Sequence, residues 1–416
     1  MAYSDREVSE VSSTRIALDG KEVRECKSGH EIFERKRVFD RGRWAYAAGK
    51  VKLPRVSLLD PKDYSLSERR IGRSGRDRPK TNPLDIPMQD KLAFLRDVQK
   101  TLMVDPRLTI ELFYSDSNLN VNLEGPEFDL EQQITRTALT LIATAKDGAR
   151  ITRGIDSDGQ RAGWEFVKSF DSMLASERAL RLLKAEKIRG GEYTVVLDPF
   201  MVGTLIHEAL GHMAEGDSVA AGASALAGRI GQKIASPLVT IVDDGRDGYG
   251  SFFFDRDGTA SQRAVLLENG VLKNFLNSRD SAGQLGMRST GNCRGEFNCV
   301  RMTNTSMLPG KSALDEMLDI KKGVYLLGTT GGSTSPASST FNFSAGEGFM
   351  IENGELTSNI GEATLTGDLF KVLGAVDLVG KDFVMNGGGC GKNGEMVPIG
   401  AGGVSLRTKA IIGGTA

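Results

Sequence analysis

The chain is short of the residues that would make its chemistry ambiguous. Among 416 residues there are four cysteines, three histidines and two tryptophans. Cys26, Cys293, Cys299 and Cys390 are too few and too scattered for a disulfide-stapled secreted scaffold. They read as free thiols or ligands in a reducing, cytoplasmic compartment. The opening Met1-Ala2-Tyr3-Ser4-Asp5-Arg6-Glu7 is polar, so no secretory signal is expected. No apolar run approaches the ~18 to 20 residues that cross a bilayer, which argues against a membrane protein. Neither charge sign dominates: 53 Lys+Arg against 54 Asp+Glu give a net charge of -1. A global basic field for nucleic acid is therefore absent. Proline is sparse at 12, so the 50 glycines do not form a disordered Pro/Gly linker. They signal many turns and close backbone approaches.

What is present is ordinary for a globular protein, with 39% hydrophobic and 26% charged residues. The length suggests two or three domains. Residues 11–20 and 23–28 read as short strands around the turn signal Asp19-Gly20, and 39–48 carry another turn at Asp40-Arg41-Gly42. Residues 66–83 are basic and poor in apolar side chains, and read as a solvated loop. A helix is expected over 84–104, with Leu92, Leu95, Val98 and Leu102 at helical spacing. Alternation at Leu108, Ile110, Leu112 and Tyr114, and at Leu119, Val121 and Leu123, predicts antiparallel strands with one wet face, as does the Thr-rich stretch 134–146. A second helix is expected over 171–187. Trp44 and Trp164 read as core, and Asp243-Asp244-Gly245 as a strand-ending turn.

Beyond residue 190 the composition changes. Residues 193–197 form an apolar strand, followed by Asp198 as an N-cap and Pro199 at the first helical position of a helix reaching about Glu215. From Pro237 onward strands and turns dominate. Glu268-Asn269-Gly270 and Glu352-Asn353-Gly354 each lie between apolar runs, the strongest short hairpin signal. The expected fold is α+β: an N-terminal α+β domain over 1–190, then a mainly antiparallel β domain over 191–416 that carries the helix.

Two of the three histidines fall in His207-Glu208-Ala209-Leu210-Gly211-His212. Metallopeptidases present two imidazoles to zinc and a carboxylate to its water in this manner. Here the histidines are five positions apart, not four. At about 100° per residue, five residues leave the rings about 140° apart on a regular helix. The pair can share a metal only if the helix bulges, and Gly211 predicts a distorted turn at Leu210-Gly211. Glu208 is then the natural general base, taking a proton from the water and passing it to the leaving amine. A catalytic zinc keeps three protein ligands and one open position. His30 lies in the other expected domain, so the third ligand falls to Cys390, Glu215 or Asp217, in that order. Cys390 stands in Gly387-Gly388-Gly389-Cys390-Gly391-Lys392, where glycines permit close backbone approach to a crowded centre. A short match of this kind also arises by chance. Cys293, Cys299 and Cys26 lack partner ligands and read as structural.

The segment 193–217, the run Val300-Arg301-Met302-Thr303-Asn304-Thr305 leading to Leu308-Pro309-Gly310, the stretch Phe341-Asn342-Phe343-Ser344-Ala345 leading to Ile351-Glu352-Asn353-Gly354, and the ending from Cys390-Gly391-Lys392 to Gly413-Gly414-Thr415-Ala416 resemble the TldD/PmbA family. The resemblance is to its TldD branch, metalloproteases once described as modulators of DNA gyrase, and covers nearly the whole chain. It implies a His-Glu-x-x-x-His zinc motif with a cysteine near the C-terminus as third ligand. Carried over, this assigns His207, His212 and Cys390 as metal ligands and Glu208 as the catalytic residue, which lifts Cys390 above Glu215 and Asp217. It further implies curved antiparallel sheets, Zn2+ as cofactor, a peptide substrate, and pairing with a PmbA/TldE-like subunit that lacks the zinc ligands, or else a homodimer. One departure stands out: family members usually begin with an amphipathic helix, whereas here the sequence starts almost at the first strand.

Three function classes follow. The first is a zinc metallopeptidase acting on unfolded or modified peptides. The second is a non-catalytic partner or scaffold, which has no need of all four motif residues. The third is a modulator of DNA topoisomerase, which the near-zero net charge argues against as a direct DNA binder.

Overall fold

The computed structural model of the chain describes residues 2–50, 52, 54–56, 62–170 and 173–413. Its fold is α+β, built on three sheets. The first sheet is drawn from residues 3–160. Tyr3–Asp19 pairs antiparallel with Glu22–Asp40 on one side and with Leu108–Gly125 on the other. Arg43–Ala48 extends one edge, and Phe128–Asp147 carries Arg150–Gln160 beyond the other. The first two strands run 17 and 19 residues, far longer than their apolar alternation suggests. Cross-strand ion pairs such as Arg6–Glu34 and Arg35–Glu7 occupy positions where the sequence shows only charge.

Helices Met88–Leu102, Trp164–Ser169 and Leu174–Leu182 cover one face of this sheet. Leu95, Leu102, Trp164 and Ala179 pack there against Ile16, Leu112, Tyr114 and Leu141. The first helix starts at Met88, four residues later than its periodicity implies. Pro87 disfavours helical geometry at Ile86, and Pro83–Asp85 forms a separate turn capped by Asn82. Of the helix expected over 171–187, residues 171 and 172 lie outside the described residues. Glu186–Lys187 is instead a short edge strand beside Glu355–Gly361.

Two further readings need correction. The stretch 66–83 is a solvated loop only in part: Glu68, Arg70, Arg73, Arg78 and Lys80 are exposed, but other residues anchor it. Gly72 donates to the carbonyl of Gly258, Asp77 pairs with Arg161, and the Arg69 guanidinium stacks on Tyr3 and Phe128 with its side chain only 3% exposed. Arg69 finds aromatic faces elsewhere in the chain, which local composition does not reveal. Trp164 is core, but Trp44 is half-buried at the sheet edge against Tyr3, Phe39 and Tyr46.

The other two sheets come from residues 186–413. One has the order Val271–Leu272, Arg263–Glu268, Ile241–Asp244, Asn304–Met307, Glu395–Gly403, Val384–Lys392. Its pairings are antiparallel except where Asn304–Met307 meets Glu395–Gly403. In the other sheet Lys322–Ser335 pairs with both Gly191–Leu197 and Thr340–Glu352. With Leu406–Gly413 and Thr364–Asp368 completing the path, five strands close into a ring. The two expected Asn-Gly turns are present, with Asn269, Gly270, Asn353 and Gly354 all at positive φ. The largest apolar core lies between these two sheets, and the metal-motif helix runs through it.

Candidate metal centre

The strand Gly191–Leu197 ends at Asp198, whose Oδ1 accepts from the backbone of Met201 at 2.8 Å and of Gly328 at 2.9 Å. This cap starts helix Pro199–Leu205 and ties it to the neighbouring strand. The helix lies unusually close to the strand Glu395–Gly403. A Cβ on Gly403 would sit 1.9 Å from the Pro199 carbonyl oxygen, and one on Gly203 would sit 2.9 Å from that of Ala401.

From Ile206 to Gly211 the helix widens into one π turn, closed by a bond from the His212 N–H to the His207 carbonyl. That i to i+5 bond adds a residue to the turn, so a five-residue spacing that splays two side chains on an α-helix brings them onto one face here. The imidazole centroids are 5.4 Å apart, with the rings edge to face. The expected distortion is therefore present. Gly211, however, does not supply it through left-handed backbone. It supplies space: a Cβ there would lie 2.0 Å from Sδ of buried Met302.

Cys390 arrives from the other side, on the hairpin Val384–Lys392 / Glu395–Gly403. This hairpin turns at Asn393 and Gly394, a third Asn-Gly pair at positive φ that the sequence analysis did not single out. Fully buried Arg301 donates to the carbonyls of Cys390 and Glu395, fixing the hairpin against the core. The glycines around Cys390 do not crowd the centre as expected. Gly387 presses on the backbone of Gly159 in the first sheet, while Gly389 makes room for Met396.

The sulfur of Cys390 lies 3.4 Å from Nε2 of His212. One donor atom each from His207, His212 and Cys390 falls within 4.8 Å of the others. His207 is 3% exposed, and neither ring nitrogen has a hydrogen-bond partner. Burial, with help from His212, Arg301 and Arg294, pushes its pKa down to about 3, so the ring is neutral. His212 is opposite in character. Burial lowers its pKa, but bonds to Cys390 and Glu215 outweigh this and raise it to about 10.

Glu215 and Asp217 stand outside this donor cluster. Glu215 accepts from Nδ1 of His212 at 3.2 Å and from Nζ of Lys392 at 2.8 Å. A carboxylate on the far nitrogen holds the ring orientation and leaves Nε2 facing the sulfur. Lys392 also reaches both oxygens of Asp217 at 3.1 Å. One ammonium thus links the cysteine strand to the segment that follows the histidine helix. Burial opposes that charge, but the two carboxylates outweigh it and push its pKa up. Glu208 is the most open of the group, its side chain 38% exposed and Oε2 3.7 Å from Nε2 of His212. Partial burial raises its pKa, opposed by His212 and reinforced by Glu215.

His30 is remote from these groups, exposed on the first sheet beside Ser12 and Glu10. Asp243 does more than end a strand: buried, it accepts from Asn292, Thr303 and Thr305. The roles of Lys392 and Arg301 and the orienting position of Glu215 are not legible in the sequence. Only the turn signal at Asn393-Gly394 was there to lead toward them.

The residues present fit a metal ion: two imidazoles and a thiolate converge, and the buried His207 ring lacks any protein partner. Residues 190–411 match the PmbA/TldA metallopeptidase C-terminal domain. A protein named metalloprotease from Methanothermobacter thermautotrophicus is 37% identical over 97% of this chain and 93% of its own length. A zinc metalloprotease TldD homolog from Saccharolobus solfataricus is 32% identical over 73% of this chain and 68% of its own. The fold is shared with TldE from Thermococcus kodakarensis, at a TM-score of 0.79 and 18% identity over 99% of this chain and 97% of that one. On these matches, the chain belongs to the TldD/PmbA family, in its TldD branch.

Proposed function

We propose that this chain is a zinc-dependent metallopeptidase that hydrolyses peptide bonds in unfolded or modified peptides, with His207, His212 and Cys390 as the metal ligands. The reading is carried by one observation: a fully enclosed imidazole, His207, has no partner for either nitrogen, next to a second imidazole and a sulfur. An unsatisfied buried polar group costs about 1–3 kcal/mol. A bound ion would satisfy one of the two nitrogens. Two nitrogens and a thiolate suit zinc better than a hard cation.

Zinc bound there supplies a Lewis acid for the scissile carbonyl and makes water more acidic. The remaining work falls to the chain. His207, held neutral by burial, offers a lone pair with no competing proton. Glu215 holds His212 with Nε2 turned inward. Glu208, partly exposed and with a raised pKa, takes a proton from the attacking water at a carboxylate oxygen and returns it to the leaving amine. Extended peptides suit a fold rich in strand edges, where main-chain pairing gives weak sequence selectivity.

We infer further that the chain is cytoplasmic and acts as a dimer with a PmbA/TldE-like subunit. The shared fold with TldE and the four free cysteines support this. The test is a peptide-cleavage assay with matched metal analysis, run with and without such a subunit. Cleavage that is lost to a chelator and regained with zinc supports the reading. Cleavage undiminished after complete metal removal would overturn it.

A further inference from the structure

Two arginines at the seam between the first sheet and the cysteine hairpin lack a direct ion-pair partner among the described residues, although Asp77 acts on Arg136 and Asp243 on Arg294 from farther away. Arg136 is 6% exposed; its Nε and Nη2 donate to the carbonyls of Tyr249 at 2.7 Å and Ser251 at 2.6 Å. Its Nη1 has no hydrogen-bond partner among the described residues. Arg294, half-buried, donates to the carbonyls of Met302 and Pro398. Among the described residues neither guanidinium is ion-paired. Buried Arg37, by contrast, is paired with Asp5 and Asp257. For Arg136, holding a guanidinium in a nearly dry site with hydrogen bonds to carbonyl oxygens alone is costly. Burial accordingly pushes the pKa of Arg136 down to about 10 and that of Arg294 down to about 9.

Both arginines line one cleft of about 680 Å³ between the first sheet and the cysteine hairpin. Arg136 also lines a second cleft of about 670 Å³, together with Arg15, Lys27, Gly388 and Gly389. The two clefts share Arg136 and the segment Met396-Val397-Pro398, so Arg136 stands where they meet. Val397 is the cross-strand partner of Cys390, which sets the clefts alongside the metal centre. Several acids that line them are already engaged: Glu7 by Arg35, Glu296 by Arg256, and Asp116 by Lys91. Asp255 and Glu31 also line them, so the positive charge without an ion pair is local, at Arg136 and Arg294 where the first cleft meets the cysteine hairpin.

We propose that this double cleft binds a peptide carboxylate at Arg136, with Arg294 adding to the field, so that the enzyme selects peptides presenting an acid beside the metal centre. The proposal rests on the peptidase reading of that centre. A carboxylate can accept from Nη1 without displacing either existing bond, and a charge-assisted bond of this kind is among the stronger ones. The acid is either a free C-terminus or an Asp or Glu side chain.

The test measures binding, not turnover. Full-length protein bearing Glu208→Gln is titrated with four labelled synthetic peptides of one sequence, with a C-terminal acid or amide and an internal Glu or Gln. Removing the charge at one of the two positions is expected to weaken binding at least about tenfold, and that position names the source. Arg136→Gln should abolish the difference while sparing the neutral peptide, and Arg136→Lys should keep part of it. Should Arg136→Gln fail to fold, the Lys variant and a salt titration of the parent carry the comparison. Equal affinity for all four peptides overturns the proposal. Cleavage without charge discrimination overturns this assignment alone. Charge-selective binding by a parent protein that cleaves nothing contradicts the peptidase reading and leaves the carboxylate site standing.

Discussion

The sulfur of Cys390 lies 3.4 Å from Nε2 of His212 although 178 positions separate them in the chain. Two local devices create that contact. A single π turn rotates His212 onto the face of His207, and an Asn-Gly turn folds the cysteine strand back over the helix. Removing the sulfur should therefore remove a ligand while leaving both devices in place. Cys390→Ser is expected to lose more metal affinity than the ~10- to 100-fold typical of losing an orienting partner. Competition with a chromophoric chelator measures it; unchanged affinity rules out the thiolate.

In the proposed mechanism Glu208 moves a proton and does not bind the ion. Glu208→Gln should retain metal and lose about 10²- to 10⁴-fold in peptide cleavage. Wild-type turnover in a metal-replete variant would remove Glu208 from the mechanism.

The Lys392–Glu215–His212 chain links the two halves of the centre. Lys392→Met and Glu215→Gln should each weaken metal binding by ~10- to 100-fold without unfolding the protein. Equal effects, not increased by combining the two changes, are expected of residues acting as one unit. Additive effects in a double-mutant cycle would show that the ammonium and the carboxylate act separately.

In metal-free protein the two histidines give opposite pH signatures. The folded pKa of His207, about 3, is below the ordinary ~6.5, so the unfolded chain binds the proton first. Its stabilising contribution is complete above ~6.5 and is lost as pH falls toward 3. His212, at about 10, contributes fully below ~6.5 and loses that contribution as pH rises toward 10. His212 must release its proton to become a ligand, so affinity should rise about tenfold per pH unit between ~7 and ~9. Calorimetry in buffers of different ionisation heat reads the released proton. Its absence contradicts the assignment of His212.

Much of the centre was legible because local rules apply to it. The five-residue histidine spacing demands a distorted helix, and Asp198-Pro199 marks where that helix starts. The architecture was less legible. Long strands such as Tyr3–Asp19 are held by cross-strand ion pairs that leave no apolar alternation, and Arg69 is buried by aromatic rings far along the chain. The sequence suggests backbone freedom at Gly211, but the residue serves close packing, because its neighbour Met302 comes from a distant segment. The turn at Asn393-Gly394 was as visible as the Asn-Gly turns at 269–270 and 353–354. Its flanks are rich in glycine instead of apolar residues, which hid the hairpin that delivers the sulfur.

Close packing also sets a stability prediction. Gly403→Ala would drive a Cβ to 1.9 Å from the Pro199 carbonyl and force the motif helix off its strand. A cost of about 1–3 kcal/mol is expected, with a lowered Tm and weaker metal binding together. A Tm equal to wild type would show that the helix and strand are not in such contact.

X-ray absorption at the zinc edge of the full-length, zinc-loaded protein tests the central claim most directly. One sulfur near 2.3 Å and two imidazole nitrogens near 2.0–2.1 Å are expected, with the sulfur shell lost in Cys390→Ser. A zinc shell of nitrogen and oxygen alone, or a sulfur shell that survives Cys390→Ser, would contradict it.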